Sequence, residues 1–229
     1  QYKCIKAKSK IILVPSKKLI FFTTLFIFAA AFLIKPTNTW ADTANVIRYT
    51  VGDPGSSLGS YSSPSFVPID AGGDSSAATV LSSDGTVIRI LSTGPQTLLS
   101  FSVAGATPIA EDGTPSGGND TNVLFSNGSV YRYTGLGATL INTKVVAGAT
   151  PISVAGYGQL DAVVLFSNGE VYRYRTDANG GVTLVSAKAV AGASPIAVAT
   201  SILPTAFVLF SNGEVWRYTT TSTTFVNTT

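Results

Sequence analysis

The chain has 229 residues, 45% of them apolar and 12% charged, with one cysteine and no histidine. That balance excludes a disordered chain, the absent imidazole excludes histidine-dependent catalysis, and a lone thiol excludes a disulfide scaffold or a multi-thiolate metal centre. The formal charge of +3 is unevenly spread: seven lysines precede position 42 and all twelve acids follow from Asp42 onward, so residues 42–229 carry 8 bases against 12 acids, a net of −4, and no basic stripe remains to neutralise nucleic-acid phosphates.

Residues 1–18 are lysine-rich, and 19–34 (LIFFTTLFIFAAAFLI) are an uncharged apolar run followed by Thr39 and Ala41 at the −3 and −1 places of a cleavage site. The order is that of a secretory signal peptide, with residues 1–41 as a leader whose helix is removed on export. Its 16 apolar residues fall short of the roughly 20 that span a bilayer. An uncleaved leader would be a membrane anchor through 19–34. The expected location is secreted or extracytoplasmic, at the cell surface or in the periplasm.

From position 42 the chain repeats itself. VLFSNGSVYRY (123–133), VLFSNGEVYRY (164–174) and VLFSNGEVWRY (208–218) are near copies, VLSSDGTVIRI (80–90) is a degenerate one, and the V-x-R unit begins at 46, 87, 130, 171 and 215, a mean step of about 42. A Pro-Ile pair recurs in phase at 68, 108, 151 and 195. Each period reads as four short strands: a Pro-initiated one, an apolar one, an alternating one after Asn-Gly or Asp-Gly, and one ending near Val-Ala-Gly. The Asn-Gly dipeptide predicts a type I′ hairpin turn, and no segment has a helical apolar period. Four strands every 42 residues or so predict an all-β fold, a β-propeller of about four recognisable four-stranded blades over 66–229. Large side chains alternate to both sides of EVYRY because each blade would be covered on both faces. Residues 42–65 form an N-terminal half-repeat, one extra strand, and a Gly/Ser/Pro-rich loop over 52–65. The extra strand has no hairpin partner, so ring closure with the C-terminal strands, or self-association, is expected to cover its edge.

The Val-Ala-Gly turn, the apolar strand and S-[ND]-G-x-V-Y-x-[YW] resemble the blades of the regulator of chromosome condensation repeat family and of propeller-type β-lactamase inhibitors. LFSNGEVYRY is similar to the tachylectin-type lectin blade. The resemblance covers about 66–229 and implies a propeller. The Gly-rich excursion of the first family and the tryptophan pair of tachylectin sugar pockets are absent here, so it implies no ligand residues.

Candidate chemistry is sparse. Gly55–Gly59 fits G-x-S-x-G without the helix or histidine that a nucleophile elbow needs. Asp161, Glu170 and Glu214 are the carboxylates available for glycoside hydrolysis, but Glu170 and Glu214 occupy one repeated hairpin place. Acidic loops offer weak calcium candidates in Glu111, Asp112 and Asp120, and no cofactor is expected. Arg89, Arg132, Arg173 and Arg217 share one position in the repeat. They are expected to bond a neighbouring blade, or else to ring an axial channel as anion ligands. Tyr157 and Asp161 join them as candidate ligand-binding residues, and the repeated tyrosines could stack on sugars. The irregular segments 52–63, 111–120, 156–161 and 175–181 are the expected binding face. The expectation is a non-enzymatic module that binds a protein partner or a surface glycan.

Overall fold

The computed structural model describes residues 10–13, 42–49, 56–63, 66–73, 77–91, 93–113, 120–157, 161–176, 180–200 and 205–228. Within them every regular element is a strand. A three-stranded sheet comes first, built from β1 (Lys10–Leu13), β2 (Asp42–Tyr49) and β3 (Ser56–Ser63). Four antiparallel four-stranded sheets follow in chain order. Blade 1 has β4 (Pro68–Gly73), β5 (Ala78–Ser82), β6 (Thr86–Leu91) and β7 (Gly94–Ser100). Blade 2 has β8 (Pro108–Gly113), β9 (Thr121–Phe125), β10 (Ser129–Thr134) and β11 (Gly137–Thr143). Blade 3 has β12 (Pro151–Tyr157), β13 (Asp161–Phe166), β14 (Glu170–Arg175) and β15 (Val182–Ala187). Blade 4 has β16 (Pro195–Thr200), β17 (Ala206–Phe210), β18 (Glu214–Tyr218) and β19 (Thr223–Thr228).

Each innermost strand opens on the proline of its Pro-Ile pair. The innermost strands β4, β8, β12 and β16 stand next to one another in that order, so the blades stack flank to flank. The apolar run of each second strand then serves two interfaces at once. In blade 3, Val163 and Leu165 pack forward on Val208 and Phe210 of blade 4, while Val164 and Phe166 pack back on Leu124 and Val130 of blade 2. All four are fully buried. A strand covered on both faces needs no polar alternation, which is why VVLF has none.

The Ser-Asn-Gly motif closes the hairpin, but not as the expected two-residue turn. Gly128 N–H donates to Phe125 O at 2.9 Å, so Ser126 and Asn127 sit at the centre of a three-residue loop and Gly128 follows at φ 79°. This is the type I turn with a left-handed glycine after it. Asn127 Oδ1 accepts Ser129 N–H at 3.0 Å, Ser126 Oγ accepts Thr107 N–H at 3.0 Å, and a Cβ on Gly128 would lie 1.9 Å from Lys144 O. Each residue of the motif is thereby assigned to the architecture.

The N-terminal part holds strands that the sequence reading did not place. The 52–65 segment, read as a loop, carries β3 over Ser56–Ser63. In the full chain the extra strand β2 pairs on both edges, with β1 and with β3. Lys10–Leu13, inside the expected leader, is β1. The apolar run 19–34 and its helix lie outside the described residues.

Candidate functional site

Every blade has two unlike ends. The Ser-Asn-Gly turns and Val-Ala-Gly connections lie at one end. The connections from first to second strand and from third to fourth emerge at the other, where charge collects in blades 2 and 3. Asp161 opens β13 opposite Arg175. Its carboxylate accepts from Arg173 Nη2 at 2.8 Å and Nε at 3.3 Å, with Arg175 Nε 3.6 Å away. Blade 2 repeats the device: Arg132 Nε donates to Asp120 Oδ2 at 2.9 Å, and Nη2 reaches the same oxygen. The spacing from acid to arginine is twelve residues in both copies. Such partly exposed pairs contribute about 0–1 kcal/mol each, so they fix orientation more than stability. Blades 1 and 4 have Ala77 and Thr205 where the acids would stand.

Around this row, Thr134 Oγ1 accepts Leu136 N–H and donates to Gly137 O, both at 3.1 Å. The pinned tip holds Leu136 fully exposed. Asn142 Nδ2 of blade 2 donates to Arg175 O of blade 3 at 3.4 Å. Behind the charges, Asn122 is 1% exposed, and among the described residues neither polar atom of its amide has a hydrogen-bond partner. It stands opposite both Asp112 and Arg132 in the sheet.

Several expected sites are not assembled. The four arginines lie on the third strands, away from the innermost ones, so they form no axial ring. Where their partners are seen, the acid belongs to the same blade rather than to a neighbour. Tyr157 ends β12 with its backbone opposite Asp161, and its side chain lies outside what is described. Glu111 turns to blade 1, Asp112 accepts Gly156 N–H of blade 3 at 2.8 Å, and Asp120 holds Arg132. Among the described residues no group of acids is arranged to hold a metal ion, so the calcium candidates are not brought together. Glu170 accepts from Tyr172 OH and Glu214 from Trp216 Nε1. Each is bonded within its own strand at the turn end, away from Asp161. The tyrosine and tryptophan faces are lined too: Lys144 Nζ lies 5.1 Å from the Tyr172 centroid and Lys188 Nζ 4.4 Å from that of Trp216. Of the expected binding segments, 52–55, 114–119, 158–160 and 177–179 lie outside the described residues.

Two functional arrangements escaped the sequence reading. Tyr133, Tyr174 and Tyr218 are fully buried, and their hydroxyls donate to carbonyls of the blade before: Phe101 at 3.1 Å, Gly128 at 3.0 Å and Lys188 at 3.5 Å. Burial raises all three phenols above their ordinary range. Glu111 is a 4% exposed carboxyl in the place held by Val154 and Val198 in later copies. Aligning the copies on Pro-Ile exposes that exchange.

No family model matches the chain, and no curated protein does. Among solved structures it is similar to U3-55K (TM-score 0.58, 11% identity, covering 80% of this chain and 57% of that one). It is similar to the WD40 repeats of RRP9 (0.58, 10%, 80% and 57%), and to a Bacteroides caccae protein of unknown function (0.56, 12%, 97% and 72%). The chain thus spans a little over half the length of the first and second of these. At such identities the likeness shows the fold alone: a β-propeller built from four-stranded blades.

Proposed function

We propose that the chain is an exported, non-enzymatic β-propeller whose charged end, over blades 2 and 3, binds a protein partner. The observation that carries this reading is the contrast between the two ends. At the turn end each motif residue is bonded into the framework. At the other end the Asp120–Arg132 and Asp161–Arg173–Arg175 groups, confined to blades 2 and 3, stand together with the exposed Leu136. Rigid elements that present variable loops are the usual setting for recognition, and WD40-type likeness agrees with a protein-interaction module. The resemblance to chromosome-condensation and tachylectin-type blades belongs to the same proposal. A sugar stacked on Tyr172 or Trp216 would have to displace Lys144 or Lys188, so a protein ligand is the reading favoured over a glycan.

A benzophenone amino acid at position 136, in the cells that make the protein, tests it. The expected result is one discrete adduct with a second protein. It should be lost on adding Arg173→Glu and Arg175→Glu, and absent when the probe replaces the exposed Val145 at the opposite end. No adduct from 136, or equal adducts from both positions, removes the reading. N-terminal sequencing of fractionated cells tests export: a cytoplasmic chain that retains Lys3 rules it out.

A further inference from the structure

Where blades 1 and 2 meet, a carboxyl group is buried in a place that its repeat equivalents fill with valine. Glu111 extends from β8 onto the backbone of β4, its Oε1 within 3.0 Å of where a Cβ on Gly72 would stand. Thr79 Oγ1 of β5 lies 2.9 and 3.0 Å from the two carboxyl oxygens. Thr121 Oγ1 of β9 donates to Oε2. The Glu111 N–H donates to Asp70 Oδ2 of β4 at 2.8 Å, so the same residue is tied to blade 1 by main chain and side chain. The charged groups acting on the carboxyl are Asp70 on β4 and Asp112 on β8, both negative. Arg89 stands one strand farther out, opposite Thr79 on β6.

A neutral acid fits this surrounding, since it can give its own proton to one threonine oxygen while accepting from the other hydroxyl. An ionised one meets two further carboxylates in a dry interface. We propose that the junction of blades 1 and 2 is a proton-operated clasp: the protonated Glu111 carboxyl locks the blades together, and its ionisation loosens blade 1 while blades 2, 3 and 4 stay packed. Burial first, then Asp70, lifts the carboxyl from 4.5 to about 8, against the hydroxyls of Thr121 and Thr79, which favour its ionised form. The group is raised in the folded state, so its contribution is complete below pH 4.5, declines as pH rises, and is lost through about 8. The later interfaces carry Val154 and Val198 at the equivalent place and have no such dependence.

Hydrogen exchange on the full chain, corrected for intrinsic rates, reads the clasp directly. From pH 6 to 8 the opening of β4 and β5 should increase by about fiftyfold relative to β13 and β17 in the same molecule. Glu111→Gln, which is neutral at every pH, should abolish that dependence. Equal responses from all blades, a blade 1 junction insensitive to pH, or a Glu111→Gln chain that keeps the wild-type slope would each overturn the proposal. If the variant does not fold, the wild-type comparison between blades decides alone.

Discussion

A tyrosine hydroxyl buried without water needs an acceptor, and three blades supply one from the preceding blade. Blade 1 has Ile90 where the others have Tyr133, Tyr174 and Tyr218, so the position tolerates an apolar side chain when the hydroxyl goes as well. Tyr174→Phe is therefore expected to cost about 1 kcal/mol, the net value of one hydrogen bond. Tyr174→Ala, which opens a cavity, should cost about 3–5 kcal/mol. Urea titration of both variants measures the difference. At this scale the sequence was legible where a residue's duty is local. Asn and Gly announce a turn whatever surrounds them, although the wrong turn was inferred because register depends on the hydrogen bond from Gly128 to Phe125. It was illegible where duty depends on another blade. Nothing near Glu111 signals two threonines, one of them 32 residues upstream. The twelve-residue spacing of Asp120 to Arg132 and of Asp161 to Arg173 was there to be read, but the two acids were taken separately as calcium and glycosidase candidates.

Among the elements, β3 shows how composition can hide phase. SSLGSYSS is rich in Gly and Ser and reads as a loop, yet Tyr61 precedes Pro68 by the same seven residues that separate Phe101 from Pro108, Lys144 from Pro151 and Lys188 from Pro195. That position is a peg set against the next blade. Tyr61 meets Phe66 edge-on at 4.9 Å, Phe101 lies 5.0 Å from Tyr131, and the two lysines lie over Tyr172 and Trp216. An aromatic ring and a lysine stem serve alike because both cover a ring face. Lys188→Ala should lower stability by about 0.5–1 kcal/mol and shift Trp216 emission to longer wavelength. The spectrum is read in a Trp40→Phe background, since the chain holds two tryptophans. An unshifted spectrum would mean that Lys188 does not shield the indole. The Pro-initiated strands were the most legible elements of all, because proline at a strand start fixes φ and removes a donor where none is wanted.

For the whole molecule, the interior is a series of slabs between blades rather than one centre, so coupling runs between nearest neighbours. Leu165 faces blade 4 and Leu124 faces blade 3. Each Ala variant should lose about 2–5 kcal/mol, but limited proteolysis should nick Leu165→Ala between blades 3 and 4 and Leu124→Ala between blades 2 and 3. Identical nicking patterns would contradict neighbour-only coupling. The fold was legible because a repeat states its packing several times over. Function was not, because recognition belongs to places where copies differ, and a single sequence offers no second example of them.

The innermost strands are stitched in one direction. Main-chain donors of Glu111, Gly156 and Val198 all reach back to side chains of the blade before, Asp70, Asp112 and Ser153. A nascent chain delivered N-terminus first would therefore present each arriving sheet with acceptors already in position, so that construction advances as courses laid on a finished wall and a fault in an early course passes to every later one.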